Sequence, residues 1–149
     1  MAHRRPLDYV LPPGKVAIRR EGSDVTVISY LSMVGHALEA IEQTGIDAEL
    51  VDLRWLDRAS LDWETIEASV KKTNAVLIVE QGAQGTSYGA WLADELQRRL
   101  FDWLDQPVQR VTGSEASPSI SKVLERAAIA RTEEVVVGLE RVRAGMGGR

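Results

Sequence analysis

The sequence contains no cysteine. That excludes disulfide staples, thiolate metal sites and a thiol nucleophile, and it fits a reducing compartment. Histidine is almost absent: only His3 and His36 occur, and they are not spaced as a ligand pair. No apolar run approaches the ~18 residues of a membrane span. No segment reads as a secretory signal, because Met1 to Arg5 leads into Pro6 and charged residues. No membrane partner and a cytoplasmic location are therefore expected. Excess positive charge is missing too. The formal net charge is -4, so no attraction to nucleic acid is implied. The short clusters Arg4-Arg5 and Arg19-Arg20 read as solvated surface. Aromatic residues make up only 5% of the chain, yet 4 of them are tryptophan. Trp55, Trp63, Trp91 and Trp103 read as core or interface, and tryptophan's enrichment at interfaces raises an assembly role.

What is present suits one soluble domain. A chain of 149 residues buries roughly 68–70% of its unfolded surface. Leu11-Pro12-Pro13-Gly14 is a turn or linker signal. Residues 1–14 read as a linker or an artificial leader, 15–143 as the domain and 144–149 as a flexible glycine-rich tail. Lys15 to Arg19 reads as a short extended segment. Val25 to Tyr30 and Ala48 to Leu53 read as strands, and the apolar run Ala75 to Val79 as a strand buried on both faces.

Between them, Val34, Ala37, Leu38 and Ile41 form one helical face, with Ser32 as its cap and Gly45 at its end. Asp62 caps a second helix carrying Trp63, Ile66 and Val70, with Lys71 and Lys72 in its last turn. Tyr88, Leu92, Leu96 and Leu100, widened by Trp91 and Phe101, predict a long helix ending near Leu104. A short strand follows Pro107, then a short helix from Ser121 to Ala128. Thr132 is the expected cap of a final helix facing inward through Val135, Val136, Leu139 and Val142, with Gly145 and Gly147-Gly148 stopping it. Strands alternating with helices predict an α/β fold. The expected form is a three-layer αβα sandwich with a largely parallel, mixed sheet of about five strands.

Gly85-Thr86-Ser87-Tyr88-Gly89 spells G-x-S-x-G, the pattern of a hydrolase nucleophile elbow. The context argues against catalysis. Glu80 to Gln84 separate the strand from the first glycine, and neither histidine lies downstream of Ser87 to act as base. A helix cap by Thr86 or Ser87 is the better reading. A phosphate cradle is weighed as well, since helix N-termini bind anions. The loop matches neither common nucleotide motif, and Glu80 adds negative charge beside it. His36 is expected at the surface or rim of its helix, and Asp57 and Asp62 lack the paired environments of an acid and a base. No catalytic, cofactor-binding or metal-binding residue is assigned.

Four stretches carry a resemblance: "LPPGKVAIRREGSDVTVISY", "MVGHALEAIEQTGIDAELVDLRWL", "ASLDWETIEASVKKTNAVLIVEQG" and "FDWLDQPVQRVTG". In this order and spacing they resemble the C-terminal, transketolase C-terminal-like domain of the beta subunit of thiamine-dependent 2-oxoacid dehydrogenases. Pyruvate, branched-chain 2-oxoacid and acetoin dehydrogenases share that domain. The resemblance covers about residues 9 to 142. It implies an alpha2-beta2 oxidoreductase of the pyruvate dehydrogenase type within a multienzyme complex. That enzyme would use thiamine diphosphate and magnesium bound outside this domain. The chain would then be a fragment, inactive alone.

Its implied partners are the alpha subunit, a second beta subunit and the small basic peripheral binding domain of the dihydrolipoyl acyltransferase. The family places an acidic residue in an L-x-x-P turn. Asp105 in Leu104-Asp105-Gln106-Pro107 matches that slot, with Asp102 one turn before. Opposite charge there would steer a basic partner. Departures include Gly85-Thr86-Ser87-Tyr88-Gly89 in place of a G-G-x-G-like run, Trp55 and Arg58-Ala59-Ser60 in place of a typical Thr and Pro, and fewer prolines near Ser121. Two other readings remain open: the equivalent domain of another transketolase-type enzyme, and a stand-alone small-molecule or nucleotide-binding α/β module.

Overall fold

The structure is a computed structural model and describes residues 10–114 and 121–147. His3, the Arg4-Arg5 pair and Gly148 lie outside the described residues. The elements run β1 (Ala17–Arg20), β2 (Val25–Ser29), α1 (Met33–Thr44), β3 (Ala48–Asp52), α2 (Trp63–Thr73), β4 (Val76–Ala83), α3 (Tyr88–Arg99), β5 (Gln109–Gly113), α4 (Lys122–Ala128) and α5 (Thr132–Met146). One 5-stranded sheet has the order β1-β3-β2-β4-β5. β2, β3, β4 and β5 pair in parallel, and β1 closes one edge antiparallel to β3. This is the expected mixed αβα sandwich.

The strands alternate their side chains between two apolar layers, as a period of two residues demands. Val27, Leu50, Leu77 and Val79 meet α1 and α5 on one face. Ile28, Val51, Val76 and Ile78 meet α2 and α3 on the other. Because both faces are covered, every residue of β2 and β3 is buried, which is why these strands read as near-continuous apolar runs. The exceptions are paired. Thr26 Oγ1 shares hydrogen bonds with Ser69 Oγ at 2.8 Å and Thr73 Oγ1 at 2.7 Å, tying β2 to α2. Buried Glu49 is matched by Lys72 from the last turn of α2.

Several local expectations change. Arg19 and Arg20 are not idle surface: Arg19 Nη2 holds Asp52 Oδ2 at 2.6 Å, pinning β1 to β3, and Arg20 pairs with Asp47. The inward stripe of α1 is Met33, Ala37, Ala40 and Ile41, while Leu38 turns outward. Ser32 occupies the cap position without a side-chain bond, whereas Asp62 accepts from the Thr65 amide as expected. Gly45 ends α1 at φ 65°, a left-handed turn that suits glycine.

The third helix stops at Arg99, because Leu100 leaves helical geometry at φ -120°, and a 3-10 turn covers Phe101–Trp103. That change of winding rotates Phe101 out of the apolar stripe to 70% exposure. Arg131, not Thr132, precedes α5, and its amide donates to Glu134 Oε2. The Thr132 hydroxyl is drawn instead to Glu39 on α1. The same helix reaches Met146, so it runs into the segment read as a tail.

Candidate functional site

The chain builds outward from β2, placing β3 on one side and β4 on the other. Such a reversal opens a crevice at the carboxyl ends of the two central strands, where open α/β sheets bind ligands. Tyr30 follows β2 there, Glu80 lies in β4, Ser87 leads into α3, and Arg110 reaches in from β5.

These side chains form one buried network on a carboxylate. Glu80 is 0% exposed. Its Oε1 accepts from the Ser87 hydroxyl at 2.7 Å and from Arg110 Nη2 at 2.7 Å. Its Oε2 accepts from the Tyr30 hydroxyl at 2.7 Å and from the Gly89 amide at 2.9 Å. Arg110 also donates to Ser87 Oγ at 2.8 Å and to the Gln84 carbonyl at 2.8 Å. Burial raises the Tyr30 phenol above the ordinary tyrosine range, and the hydrogen bond to Glu80 adds to it. Burial likewise pushes Tyr88 up to about 12.

This geometry answers the G-x-S-x-G question. A carboxylate offers about four lone-pair sites, and Glu80 has all of them filled. Ser87 therefore donates to a carboxylate that Arg110, Tyr30 and the Gly89 amide already hold in place. His36 is elsewhere: its Nδ1 lies 2.9 Å from Thr132 Oγ1 at the contact of α1 and α5, and Thr132 donates to Glu39 Oε2 at 2.7 Å. The serine and the histidine are not brought together.

Ser87 does occupy the cap position of α3, but its hydroxyl serves Glu80; the amide it was expected to satisfy is capped by that glutamate instead. The same contact weighs against an anion site, because a carboxylate already holds the helix N-terminus. The Gly89 amide at this helix start is held by Glu80, and no group of three or more metal-ligating side chains occurs among the described residues.

The other candidates have local duties. Asp57 accepts from the Ser60 hydroxyl at 2.7 Å, which holds its carboxyl below the usual range. Asp62 caps α2; burial opposes its charge, but bonds from Thr65 and Lys15 leave its carboxyl lowered. Trp91 packs edge-on to Tyr88 and Trp63, at centroid distances of 5.2 and 6.2 Å. Arg58 covers Trp91 and Arg99 covers Trp63, so those rings are shielded rather than presented.

Asp102 and Asp105 are at the opposite end of α3, on the amino edge of the sheet, away from the glycine loop. Both are exposed. Their turn is fixed from two sides. The Asp105 amide donates to the Asn74 carbonyl at 2.9 Å, and Asn74 Nδ2 donates to the Trp103 carbonyl at 2.7 Å. Gln106 Nε2 donates to the Val142 carbonyl at 3.0 Å, seating the end of α5 on the same turn. Phe101 and Trp103, 70% and 48% exposed, flank Asp102.

Comparison with known proteins decides the family. Residues 14–135 match the family of the transketolase C-terminal domain. The chain belongs to that family. Pyruvate dehydrogenase E1 component subunit beta, mitochondrial, of Dictyostelium discoideum is 36% identical over 138 residues, covering 91% of this chain and 38% of that protein. The Homo sapiens protein of the same name is 35% identical over 138 residues, covering 90% and 38%. A solved split-gene transketolase, described as an inactive beta4 tetramer, aligns with a TM-score of 0.70 at 26% identity over 92% of this chain and 44% of that one. The chain thus spans less than half the length of each of these relatives.

In this transketolase C-terminal domain the sequence reading missed the Glu80–Arg110 pair. A signal existed. Glu80 directly follows the apolar run Ala75 to Val79, and Arg110 lies between Gln109 and Val111 in a strand. Two lone opposite charges on adjacent parallel strands are the mark of a buried pair.

Proposed function

We propose that this chain serves as the C-terminal assembly domain of the beta subunit of a thiamine-diphosphate-dependent 2-oxoacid dehydrogenase, of the pyruvate dehydrogenase type. The identity of 35–38% to mitochondrial pyruvate dehydrogenase beta subunits, across about nine-tenths of this chain, carries the reading. Its role is to hold subunits together while the thiamine diphosphate and magnesium sit on the alpha subunit and the remainder of the beta subunit. The filled crevice at Glu80 agrees with that division of labour. The split-gene transketolase favours a second reading, the equivalent domain of another transketolase-type enzyme, but at lower identity. A cytoplasmic location draws no support from relatives whose names place them in mitochondria.

The amino-edge patch is the proposed docking surface for the basic peripheral domain of the acyltransferase. Asp102 and Asp105 supply the charge, Phe101 supplies an apolar anchor beside Trp103, whose ring Lys71 covers, and the rigid turn pre-organises them. Binding of that peripheral domain to the chain should weaken with Asp105→Lys and weaken further with Asp102→Lys added, chiefly through a slower on-rate. Unchanged affinity in the double variant would remove the docking role.

A further inference from the structure

β5 is the last strand of the sheet, so one edge of it has no strand partner among the described residues. The final helix, α5, lies close beside it because Gly138 has no side chain: a Cβ there would come within 2.5 Å of Val111 Cγ2. Strand edge and helix enclose an open groove of about 430 Å³. Arg110, Val111 and Thr112 form its strand wall, and Glu133, Val137 and Arg141 its helix wall.

The helix wall is patterned. Glu133, Val137 and Arg141 fall at i, i+4 and i+8, one stripe along the helix. All three are exposed, Val137 to 57%. Neither Glu133 nor Arg141 has a hydrogen-bond or ion-pair partner among the described residues. Their neighbours do: Glu134 accepts from the Arg131 amide, and Arg143 pairs with Glu140. The helix begins beside the first turns of α1 and ends on the turn before β5, so it runs antiparallel to that strand. Glu133 therefore lies toward the carboxyl end of β5 and Arg141 toward its amino end. From one to the other the helix rises about 12 Å, the span of roughly four strand residues. In a strand, residues two and four apart share a face.

We propose that this groove binds an extended peptide segment of a partner protein by strand addition to β5. The segment carries a basic residue, an apolar residue two positions on, and an acidic residue two beyond that. The basic side chain meets Glu133, the apolar one Val137 and the acidic one Arg141. That order holds for antiparallel pairing, the more stable ladder per residue. Main-chain hydrogen bonds to the open edge provide affinity, and the alternate side chains provide selectivity. At its Arg141 end the groove adjoins the turn that carries Asp105, since Gln106 Nε2 donates to the carbonyl of Val142.

Fluorescence anisotropy on the full chain tests this with a labelled, capped peptide, Ser-Lys-Thr-Val-Thr-Glu-Ser, against its isomer with Lys and Glu exchanged. The first peptide should bind about fivefold tighter, as expected for rim ion pairs replaced by like charges. The double variant Glu133→Arg with Arg141→Glu changes only exposed positions and should invert the preference. Val137→Asp should weaken both peptides. Equal binding of the isomers, no binding of either, or a preference unchanged in the double variant would each overturn the proposal.

Discussion

Gly89→Ala sets local propensity against tertiary structure. Alanine is favoured over glycine in a helix by about 1 kcal/mol, so the helix considered alone gains from the change. Gly89 is the second residue of α3, and its missing side chain leaves room for Glu80. A Cβ would lie 2.5 Å from the Glu80 carboxyl carbon and 2.6 Å from Oε2. The carboxylate cannot swing aside, since Tyr30, Ser87, Arg110 and the Gly89 amide hold it from all directions. Solvent cannot compensate either: Glu80 is 0% and Arg110 only 17% exposed at the side chain. Breaking a buried pair costs about 3–5 kcal/mol. Set against the propensity gain, the net loss is about 2–4 kcal/mol. At ~2–4 °C per kcal/mol for a chain of this size, the midpoint should fall by roughly 4–16 °C.

Urea unfolding followed by circular dichroism, with calorimetry, measures the change. A double-mutant cycle isolates its cause. Glu80→Ala alone should destabilise by stranding Arg110. In that background Gly89→Ala should cost nothing, because the space is free. If Gly89→Ala is as stable as the parent, or if the two changes simply add, the steric argument is wrong.

The described tyrosines give a second prediction: native Tyr30 and Tyr88 should stay un-ionised at pH 11 when phenolate absorbance is followed at 295 nm. Their raised folded pKa values mean that this stabilisation is fully present below the unfolded value of ~10 and fades as pH rises through the folded values; early titration of both would contradict it. The acid arm runs the other way. Asp62 and Glu49 are both lowered; burial opposes their charge, but Thr65 and Lys15 outweigh it at Asp62, and Lys72 and Ser69 at Glu49. Their contribution is present above the unfolded values of ~4 and is lost as pH falls through the depressed folded ones. Denaturant midpoints measured from pH 6 to 2 should therefore drop, and Glu49→Gln should flatten the drop. Asp62→Ala should cost about 1 kcal/mol as a lost helix cap, while Asp62→Asn should retain most of it.

Apolar runs made β2, β3 and the first part of β4 legible, because burial on both faces leaves a signal there that no solvent-facing residue interrupts; β4 continues past that run through Glu80 and exposed Gln81 to Ala83, where the signal stops. Asp62 and Gly45 were legible as helix ends because capping depends on a residue's own backbone and a near neighbour. The network at Glu80 was not. Its members come from after β2, from β4, from the α3 entry and from β5, and Tyr30 and Arg110 stand 80 positions apart in the chain. No local pattern could place them on one carboxylate. Phe101 was misplaced for a related reason: a helical stripe holds only while the winding stays helical, and the 3-10 turn ends it.

The order of apolar runs, turn residues and caps determined by itself that this chain folds as a mixed αβα sandwich. Those features act over a few residues and need no distant partner. Its motifs also carried the family. What the G-x-S-x-G stretch does was decided only by the tertiary structure. Parallel pairing of β4 with β5 delivers Arg110 to Glu80, and burial then forces that charge pair to recruit Tyr30, Ser87 and the Gly89 amide. Burying a carboxylate is costly unless it is paired and hydrogen-bonded, and that requirement makes a serine spelled like a nucleophile one of the donors to Glu80.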